Sequence, residues 1–238
     1  MIRSRRLALA LAGSILAGCG IAAAPALADP DTSSVREAVY ELKPRFGPPL
    51  GACVAPSDSD STSAFALGSW RVSTLNLATN GATVPAGIDL SGALNGAVGE
   101  WEGTDVPNSA FNTGSTTTAT RSRLDGVNLV AFGKIGSAVG VTRFFISGGT
   151  VIESDTLLNA KYPWSDDLTG GADASGGCNG TAGAFDVQAV LTHELGHPIG
   201  LEHILNDVQT MYPAIGTGES RKRTLALGDR AGANQKYP

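Results

Sequence analysis

The chain has 238 residues, 42% hydrophobic and 16% charged, enough to bury the core of one sizeable domain with a short extension. Its net charge of −5, with no long basic run beyond the N-terminus, argues against nucleic acid as a partner. With 31 glycines it should be rich in turns.

Residues 1–28 read as a secretory signal peptide rather than as part of the fold. Arg3, Arg5 and Arg6 precede an apolar run from Leu7, and Ala26-Leu27-Ala28 fits the small-residue cleavage rule. Cleavage after Ala28 leaves Asp29 as the first mature residue. It removes three arginines and no acids, taking the charge from −5 to −8. Gly13, Ser14, Gly18 and Gly20 interrupt the apolar run, which is short for a membrane span. The expected location is therefore extracellular. The run "LAGC" at 16–19 leaves an alternative, a lipid-anchored envelope protein held through Cys19, and this is the one membrane association foreseen.

Cys53 and Cys178 remain after the signal, an even pair in an oxidising compartment, and a disulfide between them is the default expectation. Closing so long a loop would stabilise the fold by ~4–5 kcal/mol on the loop-entropy account.

Residues 29–64 look like an N-terminal extension or pro-segment. "SSVREAVYEL" is expected to be a short helix capped by Ser33 or Ser34, followed by a Pro- and Ser-rich stretch. The globular domain is expected over 65–238. "WRVSTLNL" (70–77) has strand composition. Ile88, Leu90, Leu94, Val98 and Trp101 recur at helical spacing, although Gly92, Gly96 and Gly99 weaken that helix. "SAFNTGSTTTATRS" reads as loop, and strands are expected over 127–135, 138–147 and 150–159. A long Gly- and Asp-rich loop, 162–183, carries Asp166, Asp167 and Asp173, which could hold calcium but lack EF-hand spacing. "FDVQAVLTHELGH" then reads as a helix with Asp186 at its start. Strand, helix, several strands, loop and helix in that order predict an α+β fold.

The chemistry is concentrated in "HELGHPIGLEH", 193–203, which holds every histidine of the chain. His193 and His197, four residues apart on a helix, project from one face about 6 Å apart and can share one tetrahedral zinc ion. Glu194 follows the first ligand, where a carboxylate can act as a base without ligating. On a straight helix His203 would lie ~9 Å beyond His197, so the chain must turn back, and Gly200 is placed to allow it. Three neutral imidazoles leave one position open, the pattern of a catalytic site.

This HExxHxxGxxH run resembles the metzincin clan of zinc endopeptidases, matrixin-like within it. "TMYP" resembles the clan's methionine turn, with Met211 beneath the metal. "VIESDTLLNAKYPW" resembles the strand on the upper rim of the cleft, and "LALGDRAGANQKYP" the closing helix. The resemblance covers about 65–238. It implies a twisted, mostly parallel sheet with an active-site helix, a backing helix and a short C-terminal helix. It also implies a monomeric zinc endopeptidase acting on protein or peptide substrates. The site residues would be Glu194 as general base, one zinc on His193, His197 and His203, and Met211 as structural support. No histidines remain for a second zinc, Ile204 stands at the family's serine, and Tyr212 falls one residue short of a metal-reaching tyrosine. "GACVAPSD" does not match the inhibitory propeptide motif, although Cys53 as a blocking thiolate stays an alternative.

Pro198 lies beside the second ligand. It removes the bond to the Glu194 carbonyl, at a cost of ~3 kcal/mol inside a helix, but here the helix must end at once. A local kink with all three ligands retained is expected. The rival class is a non-catalytic, zinc-stabilised binding protein, secreted or lipid-anchored. It has no need of Glu194.

Overall fold

A computed structural model describes residues 34–45, 64–167 and 180–238. Residues 1–28, read as a signal peptide, together with Cys19, Cys53, Cys178 and Asp173, lie outside the described residues, and with them the disulfide expectation.

The fold is α+β. Seven strands form a continuous path: β1 (Arg36–Pro44), β3 (Leu75–Thr79), β4 (Phe111–Thr116), β5 (Asn128–Gly133), β6 (Gly140–Ser147), β7 (Thr150–Asn159) and β10 (Ala214–Ile215). Their spatial order is β10-β1-β6-β7-β5-β3-β4, with β2 (Arg71–Val72) pairing β7 off that path. The β1–β6 and β6–β7 pairs are antiparallel and the others parallel, a mixed, mostly parallel sheet. A small second sheet joins β8 (Trp164–Ser165) and β9 (Phe185–Asp186).

Among the described residues there are three α-helices: α1 (Leu90–Glu102), α2 (Val187–Ile199) and α3 (Leu227–Lys236). α1 is capped by Asp89, whose carboxylate accepts from the Gly92 N–H at 2.9 Å. Its glycines weaken it in isolation but serve the packing. A Cβ on Gly96 would fall 2.7 Å from the Gln188 side chain, so the glycine lets α1 and α2 approach closely. Trp101, fully buried, donates from Nε1 to the Thr192 carbonyl at 2.9 Å and ties the helices together. α2 in turn packs across β1, β6 and β7, burying Val187, Val190, Leu191 and Leu195. That is the apolar stripe expected of it.

Two expectations are corrected. "SAFNTGSTTTATRS" contains strand β4, parallel to β3. Only Phe111 of this strand is buried, so it carries no alternation to betray it. The second matters for the site. Residues 36–44 are not a helix but strand β1, paired with β6 from Arg36↔Ile146 to Leu42↔Gly140. Ala38, Tyr40 and Leu42 are buried while the residues between them are more exposed, a period of two. The structured part of the chain thus begins upstream of residue 65.

Candidate metal centre

Asp186 starts α2. Its carboxylate accepts from the Ala189 N–H at 2.8 Å and from Arg223 Nε at 2.8 and 2.9 Å, so the N-cap is itself anchored. The helix runs through Pro198 and stops at Ile199. Gly200 follows with φ 118°, and the Leu201 N–H returns to the Gly196 carbonyl at 3.0 Å. No other residue suits this bend. A Cβ at Gly200 would meet the Trp70 carbonyl oxygen at 2.9 Å, besides the cost of a positive φ. Trp70 Nε1 donates to the His197 carbonyl at 2.8 Å, satisfying one of the helix's terminal carbonyls.

The bend brings His203 back onto the helix face. The ring nitrogens offered by His193, His197 and His203 all lie within 4.8 Å of one another, and among the described residues this is the one cluster that could hold a metal. His193 Nδ1 sits 2.6 Å from the Thr210 carbonyl, and His197 Nδ1 3.0 Å from the Leu201 carbonyl. A carbonyl only accepts, so both Nδ1 atoms carry the hydrogen and both Nε2 atoms present a lone pair. His197 Nε2 is buried with no hydrogen-bond partner. The Nε2 atoms of His193 and His203 are 3.2 Å apart. Two nitrogens at ~2.0–2.1 Å from a tetrahedral ion would be separated by about 3.3 Å, so this pair already has the spacing of a shared zinc ion.

The protonation states suit ligation. Burial pushes His193 and His197 well below the ordinary 6.5, helped by the Lys222 charge and by the neighbouring imidazoles. His203 falls to about 4 from the same burial and the Lys222 charge. All three are neutral at pH 7, as metal ligands must be. Glu194 is fully buried, and burial raises its carboxyl to about 8 against the lowering pull of Thr142 and of the Leu42 backbone N–H. Neither carboxylate oxygen completes a hydrogen bond of good geometry, so the group is poised rather than locked. It lies against Gly140 of β6, where a Cβ would come within 2.5 Å of Oε1.

Met211 is buried against α2 at Gly196, next to His197 in the chain. A Cβ on Gly196 would fall 2.4 Å from its sulfur, so the helix glycine makes room for the turn. The turn is clamped from behind by two residues that the sequence reading missed. Asp229 of α3 accepts from the backbone N–H groups of Thr210 at 2.8 Å and Met211 at 3.1 Å. Lys222, fully buried, donates to the carbonyls of Gln209, Thr210 and Tyr212 at 3.1, 2.6 and 2.9 Å. Burial lowers this lysine to about 7, against the raising pull of Glu219 and Asp229. The only sequence trace of these roles is an ordinary charged run, "ESRKR", and one acid in a helix's first turn. Neither fixes burial.

Tyr40 was missed as well. Its ring stacks on His197 with centroids 4.1 Å apart and planes at 16°, and stands edge-on to His203 at 5.5 Å. Burial and the Glu202 carboxylate raise its hydroxyl well above the ordinary range. The strand nearest the histidines is therefore β1, with β6 behind it. β7, expected at the rim, is interior because it pairs on both sides. Of the candidate calcium ligands, Asp166 is occupied in accepting from the Asp89 backbone N–H, and Asp167 donates its N–H to Ser165 Oγ at 3.1 Å.

Comparisons with known proteins agree with this geometry. The matrixin family model (Peptidase_M10) matches residues 125–238, from β5 through the histidines and the Met211 turn to the C-terminus. Metalloendoproteinase 1-MMP of Arabidopsis thaliana is 33% identical over 82 residues, 34% of this chain. That match spans only 20% of the plant protein's length. Residues 125–238 are thus similar to the matrixin family of metalloendopeptidases.

Proposed function

We propose that the protein is a secreted zinc-dependent endopeptidase, with one zinc ion on His193, His197 and His203 and with Glu194 as general base. The observation that carries the reading is the convergence of three neutral imidazoles, Nε2 atoms inward, beside a buried carboxylate. When bound, zinc would supply Lewis acidity towards water and the scissile carbonyl. The chain's own residues do the rest. The Thr210 and Leu201 carbonyls fix ring orientation through Nδ1–H, and burial keeps the imidazoles neutral. Glu194 takes a proton from the attacking water and delivers it to the leaving amine. Its raised pKa suits the second half of that task, and a dication beside it favours the carboxylate needed for the first. Gly200 and Met211 hold the geometry from either side. Secretion is supported by the leader-like residues 1–28.

The test is cleavage of a mixed peptide library by the zinc-loaded mature chain, with and without chelator. Glu194→Gln should still bind one zinc per chain yet lose about 10²–10⁴-fold in turnover. Unchanged turnover would remove Glu194 from the mechanism. Tight zinc with no cleavage by the natural chain would favour a binding protein instead.

A further inference from the structure

The main sheet has a second face. α2 covers one side of β1, β6 and β7, where Tyr40, Thr142 and Phe144 are buried. Side chains alternate along a strand, so the residues between these point the other way. Register places Val39, Arg143 and Asp155 in one cross-strand row and Glu41, Val141 and Leu157 in the next. The two rows floor a cavity of about 320 Å³, within the size range of small-molecule sites.

Both walls of this cavity are anchored. Thr120, Arg121 and Ser122 form one of them. Ser122 Oγ donates to Asp155 Oδ2 at 2.8 Å, the Arg123 N–H donates to the same oxygen at 3.0 Å, and Asn80 Nδ2 donates to the Ala119 carbonyl at 2.8 Å. Lys134 and Ile135 form the other. The turn after them is pinned by Asn159 Nδ2, which donates to the Gly136 and Ala138 carbonyls at 3.2 and 2.6 Å, and by the Tyr162 hydroxyl, which donates to the Ser137 carbonyl at 2.9 Å. A cavity built in advance loses little entropy when it is filled.

Charge decides what fits. The lining carries Arg121, Lys134 and Arg143 against Glu41 and Asp155. Both acids are engaged. Asp155 Oδ1 accepts from the Leu129 N–H at 3.0 Å, its Oδ2 holds the wall, and Glu41 accepts from Lys43 Nζ. The cations have donors to spare. Arg143 gives Nη1 to Glu37 at 2.8 Å, but its Nε is buried with no hydrogen-bond partner. Arg121 and Lys134 form no ion pair among the described residues. A buried N–H left unpaired is costly, and guanidinium donors match carboxylate oxygens.

We propose that this cavity binds a small organic anion: one carboxylate, held by Arg143, Arg121 and Lys134, on a short branched apolar body that rests on Val141, Leu157 and Ile135. The site lies on the sheet face away from the histidines and uses none of them. It therefore stands or falls separately from the endopeptidase reading.

The probe is isocaproate, titrated into the zinc-loaded mature chain and followed by backbone amide NMR shifts. Saturable shifts at Ser122, Lys134, Val141 and Leu157 are expected, with a Kd of about 0.1–5 mM for so small a ligand. Neutral isocaproamide should bind at least about tenfold more weakly. Arg143→Gln should weaken isocaproate about tenfold and Lys134→Gln about threefold. Lys134 is exposed, so its variant reads the site even where Arg143→Gln fails to fold. Shifts confined to 193–203 would mean that the probe ligates zinc, and would overturn the proposal. Equal binding of acid and amide, or no saturation by about 50 mM, would overturn it as well.

Discussion

The two walls of the histidine site are built on different terms. The wall from α2 through the Met211 turn is held by buried, multiply bonded polar groups: Lys222 across three carbonyls, Asp229 across two turn amides, and Thr210 accepting from both His193 and Lys222. The wall facing it is β1, held by main-chain pairing, three buried side chains and an ion pair at its exit. The first wall thus rests on side-chain bonds to main-chain groups, several of them shared. The second rests on strand pairing along both edges of β1 and on burial of Ala38, Tyr40 and Leu42. The one holds the metal-facing turn by local polar contacts, the other by the long-range register of the sheet.

The sharpest way to break this comparison is Lys222→Met. It removes the shared donor of three turn carbonyls and takes a counter-charge from beside buried Asp229, so a loss of about 3–5 kcal/mol is expected in denaturant melts. A loss under about 1 kcal/mol would mean that the turn stands without its clamp.

Acid–base behaviour sharpens the same contrast in the chelated protein. Glu194 has a folded pKa of about 8, above its ordinary 4.5. The folded state therefore holds the extra proton between these values. Its contribution to stability is complete below 4.5 and is lost as pH rises through 8. His203, lowered from 6.5 to about 4, acts oppositely and costs stability as pH falls through that window. Thermal melts in chelator should show the stability of the natural chain relative to Glu194→Gln falling from pH 5 to pH 8, the histidine contribution being common to both. Parallel curves for the two proteins would contradict the burial argument.

A smaller effect is expected from Gly196→Ala. Alanine favours a helix by up to ~1 kcal/mol over glycine, but here its methyl would overlap the Met211 sulfur and crowd Trp101. The net should be a loss of about 1 kcal/mol with weaker zinc retention, read by melts and metal titration. A more stable variant with unchanged zinc affinity would show that Met211 yields freely.

What the sequence made legible follows from range. The ligand set, Glu194, the Gly200 bend and the Met211 turn fall within 19 residues, where spacing and local backbone rules act directly. The helices and the three strands of 127–159 carried their own periodicity. β4 escaped because an edge strand with one buried side chain shows no alternation. The true form of 36–44 was present in the spacing of Ala38, Tyr40 and Leu42, yet such a short segment satisfies a helical reading as well. Only its partner β6, far along the chain, decides the matter. Lys222 and Asp229 were illegible for a related reason: a charged residue announces its role through burial, and burial is a property of the assembled fold.

Gly200 has a kinetic consequence. Because it folds His203 back over His193 within one turn of chain, the ligand set can gather with little loop-closure entropy, early in folding. Strand β1 must wait. Tyr40 meets Thr142 about a hundred residues away, among the most distant contacts of the sheet. The local ligand cradle therefore closes at low entropic cost, whereas the strand that covers it depends on one of the longer-range pairings of the sheet.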